Sequence, residues 1–116
     1  MTIPPFKVLK YETNGHVCTL TMNRPEKRNA LTAQLVNELI VGLETADADT
    51  NIRVIVLTGA GGAFCAGADL SLMSGSGDED PDIPHRGGFP ELNMAMREIG
   101  TPIIARVERY AMAGGL

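Results

Sequence analysis

The sequence has no tryptophan, and aromatic residues make up only 4% of its 116 positions. That is too few for the stacking platforms on which single-stranded nucleic acids are held. Lys and Arg number 10 against 14 Asp and Glu, a net charge of −4. Phosphate-backbone binding is therefore not its main task. No apolar run approaches the roughly 20 residues that a membrane span needs. The opening Met-Thr-Ile-Pro-Pro has neither the basic start nor the apolar core of a secretory signal, so a cytoplasmic location is expected. Cys18 and Cys65 stand alone, with no C-x-x-C and no metal-ligand spacing. Both are expected to be small buried thiols in a reducing compartment, and no metal is expected. With 44% apolar and 21% charged residues, the chain is too apolar for disorder and long enough for one domain with a real core.

The most informative stretch is Gly59 to Leu70. It follows the apolar run Val54-Ile55-Val56-Leu57, which reads as a buried strand. Gly59, Gly61 and Gly62 then allow a turn where side chains would clash. Asp69 is placed to cap a helix beginning at Leu70. A strand, a glycine turn and a helix start aim free backbone N–H groups at one point, which suits an anion or an oxygen that becomes anionic during reaction. The same plan returns at the end of the chain, where Ile103 to Val107 reads as a strand and Tyr110-Ala111-Met112-Ala113-Gly114-Gly115-Leu116 follows it. Taken singly, each glycine turn need do no more than end a buried strand.

Around these stretches the chain reads as α/β. Phe6–Thr13 and His16–Met22 are strands about Asn14-Gly15, a strong hairpin signal. Asn23 to Leu31 is a polar link. Thr32 caps a helix running from Ala33 to about Ala46, with Leu35, Val36, Leu39, Ile40, Leu43 and Ala46 as its buried stripe. Gln34, Asn37, Glu38 and Glu44 fall mostly off that stripe. Asp47 to Asn51 closes the helix before a strand from Ile52, and strand–helix–strand is the parallel βαβ unit. Residues 74–88, rich in Gly, Pro and Asp, are expected to form a flexible loop over a site. Pro90 to Ile99 is a short helix with Leu92, Ala95, Met96 and Ile99 inward. His16 and His85 are expected to be exposed and without a ligand role.

Asn23-Arg24-Pro25-Glu26-Lys27-Arg28-Asn29-Ala30-Leu31, Phe64-Cys65-Ala66-Gly67-Ala68-Asp69-Leu70, Pro102-Ile103-Ile104-Ala105 and Ala111-Met112-Ala113-Gly114-Gly115 occur in this order. Together they resemble the crotonase (enoyl-CoA hydratase/isomerase) superfamily, over its N-terminal portion only. The resemblance implies a crotonase-like spiral of ββα units, with residues 1–116 as the N-terminal portion of one domain. It implies an acyl-CoA thioester as substrate, with coenzyme A a part of the substrate and no separate cofactor. Residue by residue, it assigns the oxyanion-hole N–H groups to Ala68 and Gly114. It sets Lys27, Arg28, Ala30, Ala66, Asp69 and Leu70 along the coenzyme A path. It also implies a homotrimer or hexamer, and two glutamates in the hydratases that would follow Leu116. The 116 residues alone are accordingly expected to be inactive and poorly folded.

Two other readings compete. One is a non-catalytic protein that binds CoA esters. The other is a nucleotide-binding α/β module suggested by Gly59-Ala60-Gly61, but Phe64 breaks G-x-G-x-x-G and no G-K-[S/T] is present. The sequence also departs from the family at Arg109, where a small residue is usual, and at Ala113, which replaces the first glycine of the usual triplet. If the backbone at position 109 needs positive φ, Arg109→Gly in a completed chain should raise stability by about 1 kcal/mol. An unchanged or lower melting temperature would show that arginine is at ease there.

Overall fold

The computed structural model describes residues 3–23, 32–60 and 86–106. They form a four-stranded sheet in the order β1-β2-β3-β4, with two helices packed against each other. In chain order the elements are β1 (Leu9–Asn14), β2 (Val17–Met22), α1 (Ala33–Ala48), β3 (Val54–Gly59), α2 (Phe89–Glu98) and β4 (Ile103–Ala105). β1 and β2 are antiparallel, whereas β2, β3 and β4 run parallel. The α/β class expected from the periodicities is the class observed.

The hairpin differs by one residue from expectation. Asn14 is the last residue of β1, opposite Val17, so the two-residue loop is Gly15-His16 rather than Asn14-Gly15. Gly15 has φ +61°. It supplies the left-handed conformation at the first loop position, which frees Asn14 to complete the ladder.

The strand periodicity of two decides which side chains meet α1. Cys18, Leu20 and Met22 of β2 and Ile55 and Leu57 of β3 are buried with Leu35, Val36, Leu39, Ile40, Leu43 and Ala46 of α1. Gly42 sits where α1 crosses this layer. A Cβ there would come within 2.8 Å of Leu9 Cδ2, so glycine lets helix and sheet approach. Leu92 adds to the core from α2, with Ala95, Met96 and Ile99 packed partly against it. All four are the residues expected to face inward.

Helix ends follow simple rules. Thr32 Oγ1 accepts the Leu35 N–H at 3.1 Å, the N-cap expected from sequence. α1 runs two residues beyond the expected end, to Ala48. It stops where Asp49 turns extended and its Oδ1 accepts the Asn51 N–H at 3.0 Å. At the start of α2, Glu91 Oε2 accepts the Gly88 N–H at 3.2 Å. Asp47 Oδ1 accepts from the Gly100 and Thr101 N–H groups, both at 3.1 Å, and from Thr101 Oγ1 at 2.8 Å. One carboxylate thereby ties the end of α1 to the link before β4. Of the loop expected at 74–88, residues 86–88 are described. Arg86 is anchored there, its N–H on Asn37 Oδ1 and its guanidinium on both Glu44 oxygens at 2.8 and 2.9 Å. That hydrogen-bonded pair holds the Glu44 carboxyl below its usual range.

Glu38 departs most from the sequence reading. Expected off the stripe, it is fully buried. Its Oε1 accepts the Lys7 and Val8 N–H groups at 2.9 and 3.0 Å, and its Oε2 accepts Gln34 Nε2 at 3.0 Å. Lys7 and Val8 precede β1, so their amides take the carboxylate in place of a ladder partner, and the segment is sealed over α1. Hydrogen bonds to a charged group contribute about 1.5–3 kcal/mol, and leaving buried donors unmet costs a similar amount. Glu38→Ala should therefore lower unfolding free energy by about 3 kcal/mol, and Glu38→Gln, which keeps an acceptor oxygen, by about half that. Chemical denaturation measures both. Equal, negligible losses would show that the carboxylate is not what holds residues 7 and 8.

Candidate functional site

In parallel sheets, ligands meet the carboxyl ends of the strands, and here the register brings three such ends together. Met22, the last residue of β2, lies opposite Gly59, the last residue of β3. Leu57 lies opposite Ala105, the last residue of β4. The chain continuing from β2 carries the polar link 23–31. The chain continuing from β3 carries the first glycine stretch, and that continuing from β4 carries the second. All three leave one edge of one sheet.

That edge is held by specific bonds. The Asn23 N–H donates to the Val8 carbonyl at 2.8 Å, and the Arg106 N–H donates to the Leu57 carbonyl at 2.8 Å, one step past the end of β4. Thr58, 2% exposed, donates its hydroxyl to the Arg106 carbonyl at 3.0 Å. Arg106 Nε approaches the same hydroxyl at 3.4 Å. Sequence reasoning did not single out Thr58. Its only signal was a hydroxyl residue closing an otherwise apolar run before Gly59.

The residues assigned to the site by resemblance, Lys27, Arg28, Ala30, Ala66, Ala68, Asp69, Leu70 and Gly114, lie outside the described residues, as do Cys65, His85 and Arg109. The structure gives the strand ends from which they continue.

Other reactive groups sit away from this edge. Cys18 is buried in β2, as expected, and burial pushes its thiol pKa up, so it is protonated and a poor nucleophile. The Tyr11 hydroxyl beside it is buried, and among the described residues its neighbour is the weakly hydrogen-bonding Cys18 thiol rather than an oxygen or nitrogen partner. Burial first, and then the nearby thiol, push the phenol pKa well above its ordinary value. His16 is exposed, with Nδ1 2.7 Å from the Asn51 carbonyl at the opposite end of the sheet. Among the described residues, no group of three or more His, Cys, Asp or Glu is placed to hold a metal. No helix among them is long and apolar enough to cross a membrane.

Comparison with known proteins agrees with this geometry. The enoyl-CoA hydratase/isomerase family profile matches residues 12–116. Enoyl-CoA hydratase EchA19 of Mycobacterium tuberculosis is 39% identical over 106 residues, covering 90% of this chain and 40% of its own. Probable enoyl-CoA hydratase EchA14 of the same organism is 40% identical over 101 residues, covering 87% of this chain and 39% of its own. The crystal structure of enoyl-CoA hydratase EchA8_6 from Mycobacterium marinum superposes with a TM-score of 0.75 at 34% identity. That match covers 87% of this chain and 48% of the other. This chain thus spans about two-fifths of the length of the curated relatives it matches. With a matching profile over nearly its whole length, and strands that end together where the family's motifs begin, the chain belongs to the enoyl-CoA hydratase/isomerase family.

Proposed function

We propose that residues 1–116 form the oxyanion-stabilising portion of an enzyme that hydrates 2-enoyl-CoA thioesters. The observation that carries this reading is the shared edge of β2, β3 and β4, from which all three motif-bearing segments continue. A thioester carbonyl lying across that edge meets two segments that are rich in backbone donors. The backbone N–H groups of Ala68 and Gly114 hold the carbonyl oxygen. Ala30, Ala66, Asp69 and Leu70 flank the pantetheine path, and Lys27 and Arg28 face the phosphates of coenzyme A.

The chemistry explains why such donors suffice for this half of the task. Water adds its oxygen to C3 of the enoyl group while the double-bond electrons move to the thioester carbonyl and give an enolate. A proton then returns to C2. The enolate oxygen carries most of the new charge, so two fixed N–H groups stabilise the transition state more than the ground state. Backbone donors fixed before the reaction need no reorganisation as that charge develops. The groups that move protons are the two glutamates expected beyond residue 116. We further propose that the complete enzyme is a cytoplasmic trimer or pair of trimers acting in acyl-CoA metabolism.

Gly114→Pro in the complete enzyme removes one of the two donors. Turnover should fall by roughly 10²–10³-fold, while ground-state binding of the CoA ester changes less. Gly115→Ala, which keeps every N–H group, should stay near wild type. A folded Gly114→Pro enzyme with near-full turnover would remove Gly114 from the site.

A further inference from the structure

We infer that residues 3–8 are a two-position strap latched by Glu38. With the latch engaged, the segment lies over α1. On release, the Val8 N–H passes to the Asn23 carbonyl and the β1–β2 hairpin gains a rung. The device is independent of the oxyanion reading above, since every atom in it belongs to residues 3–23 and α1.

The hairpin register shows what Val8 gives up. Asn14 and Val17 enclose a two-residue loop, so they exchange hydrogen bonds with each other. Pairs of that kind recur at every second position. They are Glu12 with Thr19, Lys10 with Thr21 and, one residue beyond the Leu9–Met22 pair, Val8 with Asn23. Half of this last pair is made, the Asn23 N–H donating to the Val8 carbonyl at 2.8 Å. The other half is diverted. The Val8 N–H turns to Glu38 Oε1 at 3.0 Å, beside the Lys7 N–H at 2.9 Å. One donor thus stands between two acceptors, a carboxylate on α1 and a carbonyl at the exit of β2.

Release therefore costs the two amides unequally. Val8 trades one acceptor for another, and the Asn23 N–H keeps its bond throughout. Lys7 occupies a position whose N–H points away from β2, so re-pairing offers it nothing from that strand. The apolar hold on the strap is slight. Phe6 and Val8 are only partly buried against the core, Phe6 stacks on Tyr11 at 6.2 Å, and Ile3 and Lys7 are exposed. Segments with few buried apolar contacts open on their own, apart from global unfolding. As the strap lifts, water reaches the Glu38 carboxylate that it covers, so no buried charge is left without solvent or partner.

Amide hydrogen exchange in the complete enzyme tests this at Lys7, Val8 and Asn23. In the wild type, Lys7 should exchange about tenfold faster than Val8, each relative to its intrinsic rate, because strap opening exposes only the first. Glu38→Met keeps the length of the side chain and has no carboxylate. It should speed Lys7 exchange by roughly 10–10²-fold, the worth of a hydrogen bond to a charged group, and leave Val8 and Asn23 within about threefold of wild type. Should the methionine variant fail to fold, the wild-type comparison of Lys7 with Val8 decides alone. Val8 exchanging as fast as Lys7 or faster, in either protein, overturns the proposal, because the strap then comes away without re-pairing. Unchanged Lys7 exchange in a folded Glu38→Met enzyme overturns it too, since the carboxylate is then not the latch. Faster exchange at Asn23 in that variant does the same, since the rung on which re-pairing depends has frayed.

Discussion

The parallel alignment of β2 with β3 is the constraint on which the rest depends. Two parallel neighbours cannot be joined by a hairpin, so the chain must travel back the length of the sheet before starting β3. The 16 residues of α1 rise about 24 Å at 1.5 Å each. A six-residue strand spans about 20 Å. The helix therefore returns the chain to the start of β2, and its buried stripe fixes where it lies. Once Val17 is opposite Val54, Met22 must be opposite Gly59, and the ends of both strands share one edge.

Seen this way, the polar bonds have a division of labour. Apolar burial between α1 and the inner sheet face supplies most of the stability and is indifferent to small slides. Glu38, Asp47 and Thr58 are directional. Each joins segments far apart in sequence: residues 7 and 8 to α1, the link before β4 to the end of α1, and Arg106 to β3. Two of the three accept backbone N–H groups and one donates to a backbone carbonyl. Sequence changes in the partner segments therefore leave the ties in place, as long as the backbone keeps its course.

What the sequence made legible is what repeats or punctuates. The α1 stripe, the Thr32 cap, the strand at Val54–Leu57 and the inward face of α2 all follow from period and local chemistry, and all are present, although in that strand only Ile55 and Leu57 are buried while Val54 and Val56 are half-buried. The failures are of one kind. Read along α1 alone, Glu38 falls mostly off the apolar stripe. In fact position 38 lies three residues after Leu35 and four before Gly42, within the buried face, and its partners come from a segment 30 residues earlier. The hairpin loop slipped by one because Asn-Gly is a signal for a pair, while the chain needed only the glycine at positive φ. Strand ends drifted where ladder partners, invisible along one chain, decide them.

The same limit explains why the family motif and its support differ so much in visibility. A backbone N–H donor requires no particular side chain, so a sequence betrays it only through what must be absent around it: the bulk that glycine and alanine omit. That absence marks the two glycine-bearing stretches, while the assignment of Ala68 and Gly114 within them is what the family resemblance implies. A tie such as Thr58 to Arg106 is ordinary in composition, since threonine is at home in any strand. It acquires meaning only when the acceptor is known to be the carbonyl of a neighbouring strand's last step. Glycine-rich stretches are therefore visible in local composition, whereas a bond between neighbouring strands is visible only in the folded sheet.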